Sequence, residues 1–193
     1  MPSNSTAKGN TLLPMARAAI AGALGQAQSD CNPPRWLEQP GASFVTLTQG
    51  GALRGCIGSL EARRPLHIDV KSNAVAAALH DPRFAPLTFT ELECTRIEVS
   101  LVSPMQPMRF SSQADALSQL RPGVDGVVFE YAHYRSTFLP QVWEQLPDTR
   151  EFLAHLKHKA GLPMEFWADQ VRLTRYTVRK WHESGAQTSG AAP

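Results

Sequence analysis

The sequence predicts an α+β fold: a mainly antiparallel sheet with flanking helices. Segments of helical period and of strand period are interspersed along the chain. The strand pairs stand too close together for parallel crossovers, which need a dozen or more residues. Turn residues separate them, as at Gln49-Gly50-Gly51. A length of 193 residues suits one large domain or two small interlocked lobes. With 42% hydrophobic and 19% charged residues the chain is globular rather than disordered. Nineteen basic and 17 acidic residues leave a net charge of +2, too little for a long-range basic field. Nucleic-acid binding is therefore not the default reading.

Residues 1–11 and 184–193 lack the bulky apolar groups that would hold them down, so two mobile tails are expected around a single domain at 12–183. A helix is predicted over 12–28, because Leu13, Ala16, Ile20, Ala23, Leu24 and Ala27 form one stripe. Asp30 to Pro34 would stop it. Strands follow at 43–48 and 52–60, joined by the two glycines of a tight hairpin. A well-buried helix is expected over 65–80, started by Pro65 and ended by Asp81-Pro82. Residues 96–103 form the clearest strand, with Ile97, Val99 and Leu101 on one face. A helix at 112–120, a hairpin of 124–131 with 135–139, a short helix at 141–145 and a helix at 149–160 complete the middle of the chain. Residues 171–182 read as one last strand whose parity changes, which a bulge near Thr174 or Arg175 would explain. Its Arg172, Arg175, Arg179 and Lys180 suit an exposed or edge strand.

Three cysteines, Cys31, Cys56 and Cys94, are odd in number and without a CxxC pair. That argues against a disulfide framework and a structural zinc site. A polar N-terminus without a signal peptide, and no run of roughly 20 apolar residues, point to a cytoplasmic protein.

The richest chemistry lies in residues 50–59. In a regular strand Arg54 and Cys56 share a face, and a guanidinium beside a thiol favours the reactive thiolate. Gly55 and Gly58 let a ligand or another backbone come close. Equally, Cys56 can be a small buried hydrophobe, with the glycines marking a bulge. Asp81, at the end of a helix, needs a compensating partner such as Arg83. Arg83 either anchors that loop or presents its fork to a carboxylate or phosphate. Gln141 can reach a ligand from the first turn of its helix. His155 and His158 lie three apart on a helix but lack a third ligand, and Lys157 and Lys159 between them suggest a solvated basic face.

Several segments together resemble the AMMECR-one domain family, in its bacterial AmmeMemoRadiSam system A branch. They are LRGCIGS (53–59), NAVAA (73–77), DPRF (81–84), PLT (86–88), IEVSL (97–101), GVDG (123–126), TFLPQVW (137–143), FLAHLK (152–157), AGLP (160–163) and RY (175–176). The resemblance implies two unequal interlocked lobes, with the signature near a cleft between them. It implies partnership with a Memo-like protein and a radical S-adenosylmethionine protein, and a small-molecule or peptide ligand. The site it suggests has Cys56 and Arg54 as catalytic candidates, with Gly55, Gly58, Asp81, Arg83, Ser100 and Gln141 around them. No metal or cofactor is expected on this chain, because it lacks a zinc or iron–sulfur ligand set. Three functional readings follow: component A of a modification system, a stand-alone enzyme with Cys56 as nucleophile, and a non-catalytic adaptor. Nucleotide or RNA binding is a distant fourth.

Overall fold

The structure, a computed structural model, describes residues 4–26 and 33–183. In chain order come α1 (Asn4–Ala23), a 3-10 turn (Arg35–Leu37), β1 (Pro40–Gln49), β2 (Ala52–Gly58), β3 (Arg64–Pro65), α2 (Leu66–Leu79), α3 (Phe89–Cys94) and β4 (Arg96–Val102). They are followed by β5 (Gln106–Pro107), α4 (Gln113–Gln119), β6 (Gly126–Tyr131), β7 (Tyr134–Phe138), a 3-10 turn (Pro140–Glu144), α5 (Thr149–Lys159), β8 (Arg172–Tyr176) and β9 (Val178–His182). The α+β class holds, but the strands are shared between two sheets rather than one. The chain divides into two compact units, one of Met1–Val102 with Arg179–Pro193, the other of Ser103–Val178.

In the first unit the sheet order is β2-β1-β4-β9, with β3 paired to β1. Alternation along β1 and β4 sends Val45, Leu47, Ile97 and Val99 into a core with Leu12, Ala16 and Ile20 of α1 and Val70, Ala74 and Ala77 of α2. The opposite face of this sheet carries Thr46 opposite Cys56 on one side and Glu98 on the other.

In the second unit the order is β5-β8-β6-β7. Val127, Phe129 and Leu173 pack with Phe152, Leu153 and Leu156 of α5. Trp143 stacks on Phe152 at 3.7 Å between ring centroids, and its indole N–H donates to the Asp125 carbonyl at 2.6 Å.

Five expectations are corrected. The first helix begins at Asn4, so residues 4–11 are not a tail. Pro14 lies inside this helix. The earlier turns are held because Gly9, without a side chain, lets Trp181 pack closely, and Lys8 lies over the Trp36 ring. The same helix ends at Ala23, not Gln28. Gly25 takes a φ of 96°, and the Gly25 and Gln26 N–H groups donate back to Gly22 and Ala21 in a Schellman cap.

The expected last strand is two strands. β8 lies inside one sheet and β9 at the end of the other, parted at Thr177. The parity change marks a change of sheet, not a bulge. Lys157 is not solvated: it is 1% exposed, on the stripe of Phe152, Leu153 and Leu156. Finally, α3 was not expected, although Thr88 and Glu91 spell its capping box. The stretch 184–193, expected as a tail, lies outside the described residues.

Candidate functional site

β2 is the end strand of its sheet, so the backbone groups on its outer side have no strand to pair with. At Cys56 side chains take that place. The Cys56 N–H donates to Asp81 Oδ2 at 2.8 Å, and Arg83 Nη2 donates to the Cys56 carbonyl at 3.3 Å. Asp81 is also gripped by Arg83, whose Nε donates to Oδ1 at 2.9 Å and Nη2 to Oδ2 at 2.7 Å. The Arg83 hydrogen bonds, then the Cys56 N–H, hold the Asp81 carboxyl well below the usual carboxylate range. The same pair raises Arg83. Asp81 is buried, whereas the Arg83 side chain is 53% exposed.

Across the hairpin, the Thr46 hydroxyl donates to Cys56 Sγ at 3.3 Å. Cys56 is a free thiol of intermediate burial; Cys94 is free and exposed, and Cys31 lies outside the described residues.

Arg54 does not stand beside the thiol as regular alternation predicts. Leu47 pairs with Gly55 and Thr48 with Leu53, so Arg54 is the extra residue of a β-bulge. Its Nε and Nη2 donate to Glu91 Oε1, both at 3.2 Å. Its Nη1 is buried without a hydrogen-bond partner. Glu91, at the start of α3, has its pKa lowered first by the Thr88 N–H and hydroxyl and then by Arg54. Both guanidinium groups flank Phe84, at 5.9 Å for Arg54 and 5.5 Å for Arg83 from the ring centroid. The cation that touches Cys56 is Arg83.

The glycines are filled from within. A Cβ on Gly55 would strike the Ala77 carbonyl oxygen of α2, and one on Gly58 would strike the Phe44 ring. The close approach expected at these positions is thus made by the protein's own helix and ring. Ser100, opposite Phe44, is buried on the Cys56 side of the sheet, one cross-strand row away, and donates to Glu98 at 3.4 Å. Gln141 is exposed on the 3-10 turn of the second unit. The site therefore gathers Cys56, Asp81 and Arg83, with Arg54 linked through Phe84.

Beyond the signature, Asp69 forms a buried polar knot that sequence reasoning missed. Its Oδ2 accepts from the Ser43 N–H (2.8 Å), the Ser43 hydroxyl (2.7 Å) and the Asn73 amide (2.9 Å). Its Oδ1 accepts from the Ser59 hydroxyl (2.7 Å) and Arg64 Nε (2.9 Å). The knot ties the end of the signature, Ser59, to α2. Two polar positions one turn apart in a buried helix, Asp69 and Asn73, were its signal. Among the described residues no group of three His, Cys, Asp or Glu is placed to hold a metal ion.

The fold and site define an α+β protein whose glycine-flanked free thiol sits on a side-chain-capped sheet edge. The AMMECR1 family model matches residues 13–181, and the chain belongs to that family. A protein from Methanothermobacter thermautotrophicus is 38% identical over 183 residues, covering 92% of this chain and 95% of its own. One from Thermotoga maritima is 35% identical, over 77% of this chain and 82% of its own. The crystal structure of an uncharacterised protein from Pyrococcus horikoshii superposes with a TM-score of 0.77 at 30% identity, covering 91% of each chain. The relatives are mostly archaeal.

Proposed function

We propose that this chain is component A of a multi-protein modification system and that its working site is the Cys56 region. In this reading it acts in the cytoplasm with a Memo-like protein and a radical S-adenosylmethionine protein. The ligand is a small molecule or peptide bearing a carboxylate or phosphate, which the exposed Arg83 meets beside the thiol. One observation carries the reading. The N–H, carbonyl and sulfur of Cys56 are each held by a different side chain, while the residue stays partly open to solvent. A cysteine that merely fills core needs no such hold. No helix among the described residues is long and apolar enough to cross a membrane, which agrees with partners met in water.

The free thiol also supports the second reading, a stand-alone enzyme with Cys56 as nucleophile. One experiment serves both. Purified chain, as wild type and Cys56→Ser, is mixed with the Memo-like and radical proteins, separately and together. Binding of either partner, with modification activity lost in Cys56→Ser, supports component A. Activity without partners supports the enzyme. Binding with activity indifferent to Cys56 leaves an adaptor and sinks the thiol site.

A further inference from the structure

We propose that Thr46 is a positioning residue for the Cys56 thiol, a role that rests on the Cys56 site above and deepens it. Thr46 is the direct cross-strand partner of Cys56, and its hydroxyl donates to Sγ at 3.3 Å. Cross-strand partners whose backbone groups point away from each other bring their side chains closest together. That is the case here, because the Cys56 N–H and carbonyl are turned outward to Asp81 and Arg83. The backbone clamp fixes where Cβ sits, and Thr46 then selects the direction of the sulfur. Threonine suits the task because its branched Cβ restricts its own rotation.

The direction of the hydrogen bond matters. A hydroxyl that donates to sulfur directs its proton to a lone pair, and such a bond strengthens when sulfur bears negative charge. Thr46 therefore holds the sulfur through its hydroxyl, standing beside it where regular alternation placed Arg54. Glu98 stands opposite Thr46 on the other side, where it accepts from Ser100 at 3.4 Å and pairs with Lys180 at 3.6 Å. Those bonds direct the Glu98 carboxylate to Ser100 and Lys180, leaving the hydroxyl proton of Thr46 to the sulfur.

The test is alkylation of the full chain by iodoacetamide. The thiolate displaces iodide from the reagent carbon, a sulfur–carbon bond forms, and the thiol proton goes to water. Cys56 and Cys94 are followed separately by peptide mass spectrometry, so that Cys94 serves as the internal reference. Thr46→Val removes the hydroxyl and keeps the branched shape; Thr46→Ser keeps the hydroxyl. Thr46→Val is expected to slow alkylation of Cys56 about 3- to 10-fold, the worth of one ordinary hydrogen bond. Cys94 should be unchanged, and Thr46→Ser should stay within about twofold of wild type on the same scale. Thr46→Ala repeats the test if valine crowds the strand. A reactive Cys56 that neither valine nor alanine slows, or that serine slows as much as valine, overturns the role of Thr46 alone. A wild-type Cys56 inert to the reagent overturns the thiol site and this inference with it.

Discussion

Asp81 and Cys56 share a hydrogen bond that a neighbouring strand would otherwise supply. The Cys56 N–H on the open edge of β2 donates to Asp81 Oδ2 at 2.8 Å, and Arg83 completes the imitation by donating to the Cys56 carbonyl. A carboxylate stands in for a strand carbonyl and a guanidinium for a strand N–H. Exposed edges invite pairing with another chain, and charged side chains are a common guard. Asp81→Ala is expected to lower the melting temperature and to promote self-association, measured by scanning calorimetry and light scattering. A variant that stays monomeric and melts like wild type would refute the guard.

The same carboxylate sets a pH dependence. Its folded pKa is depressed, so its contribution is complete above the unfolded value of about 4 and is lost as pH falls through the folded value. Melting temperature should show no Asp81 effect between pH 7 and about 5, then fall on acidification. Asp81→Asn should flatten that acid limb.

Gly55→Ala tests the contact between β2 and α2. The added methyl meets the Ala77 carbonyl oxygen, a backbone atom that cannot swing aside. Overpacking of this kind costs about 1–3 kcal/mol, to be read from the urea midpoint at unchanged slope.

Asp69→Ala leaves several buried donors without an acceptor, among them the Ser43 N–H and the Asn73 amide. Leaving a buried donor unsatisfied costs about 1–3 kcal/mol. Chemical denaturation should show a loss of that order. A loss under about 1 kcal/mol would mean that water satisfies the knot.

Lys157 predicts a second effect of the same sign, at alkaline pH. It is buried, with Nζ donating to the Phe166 carbonyl at 2.9 Å, and burial lowers its pKa. The folded state holds this proton less tightly than the unfolded state does. Its charging penalty is therefore relieved as pH rises from the folded value toward about 10.4. Between pH 7.5 and 10 the wild type should gain stability relative to Lys157→Met. Tyr176, pushed up to about 12 by burial, works the other way, but only as pH rises above its unfolded value of about 10.

Much of the fold was legible because period carries it. β4 alternates cleanly, and Gly50-Gly51 announces the β1–β2 hairpin with φ values of 56° and 84°. The site was legible only in part. Cys56, Asp81 and Arg83 stood out by type and neighbours, but their mutual contacts depend on a loop returning to a strand edge. Thr46 acquires its role from pairing register, and Arg54 loses its expected one to a bulge; neither shows in local pattern. Lys157 misled because its charge outweighed its place beside three buried apolar positions. Glu91 was available in principle, three residues after Thr88, as half of a capping box.

The parting of β8 and β9 at Thr177 has a consequence for the order of events on the ribosome. β9 completes the sheet begun by β1 and β4, but it is made only after residues 103–177. At translation rates of 5–20 residues per second that delay is roughly 4–15 s. For that interval β4 waits with one edge bare. Ser103 and Thr177, at the two ends of the intervening stretch, then meet: the Ser103 N–H donates to the Thr177 carbonyl, and the Thr177 N–H to the Ser103 hydroxyl, both at 2.9 Å. The inserted stretch thus begins and ends at one point, and its closure delivers β9 to the strand that has been waiting for it.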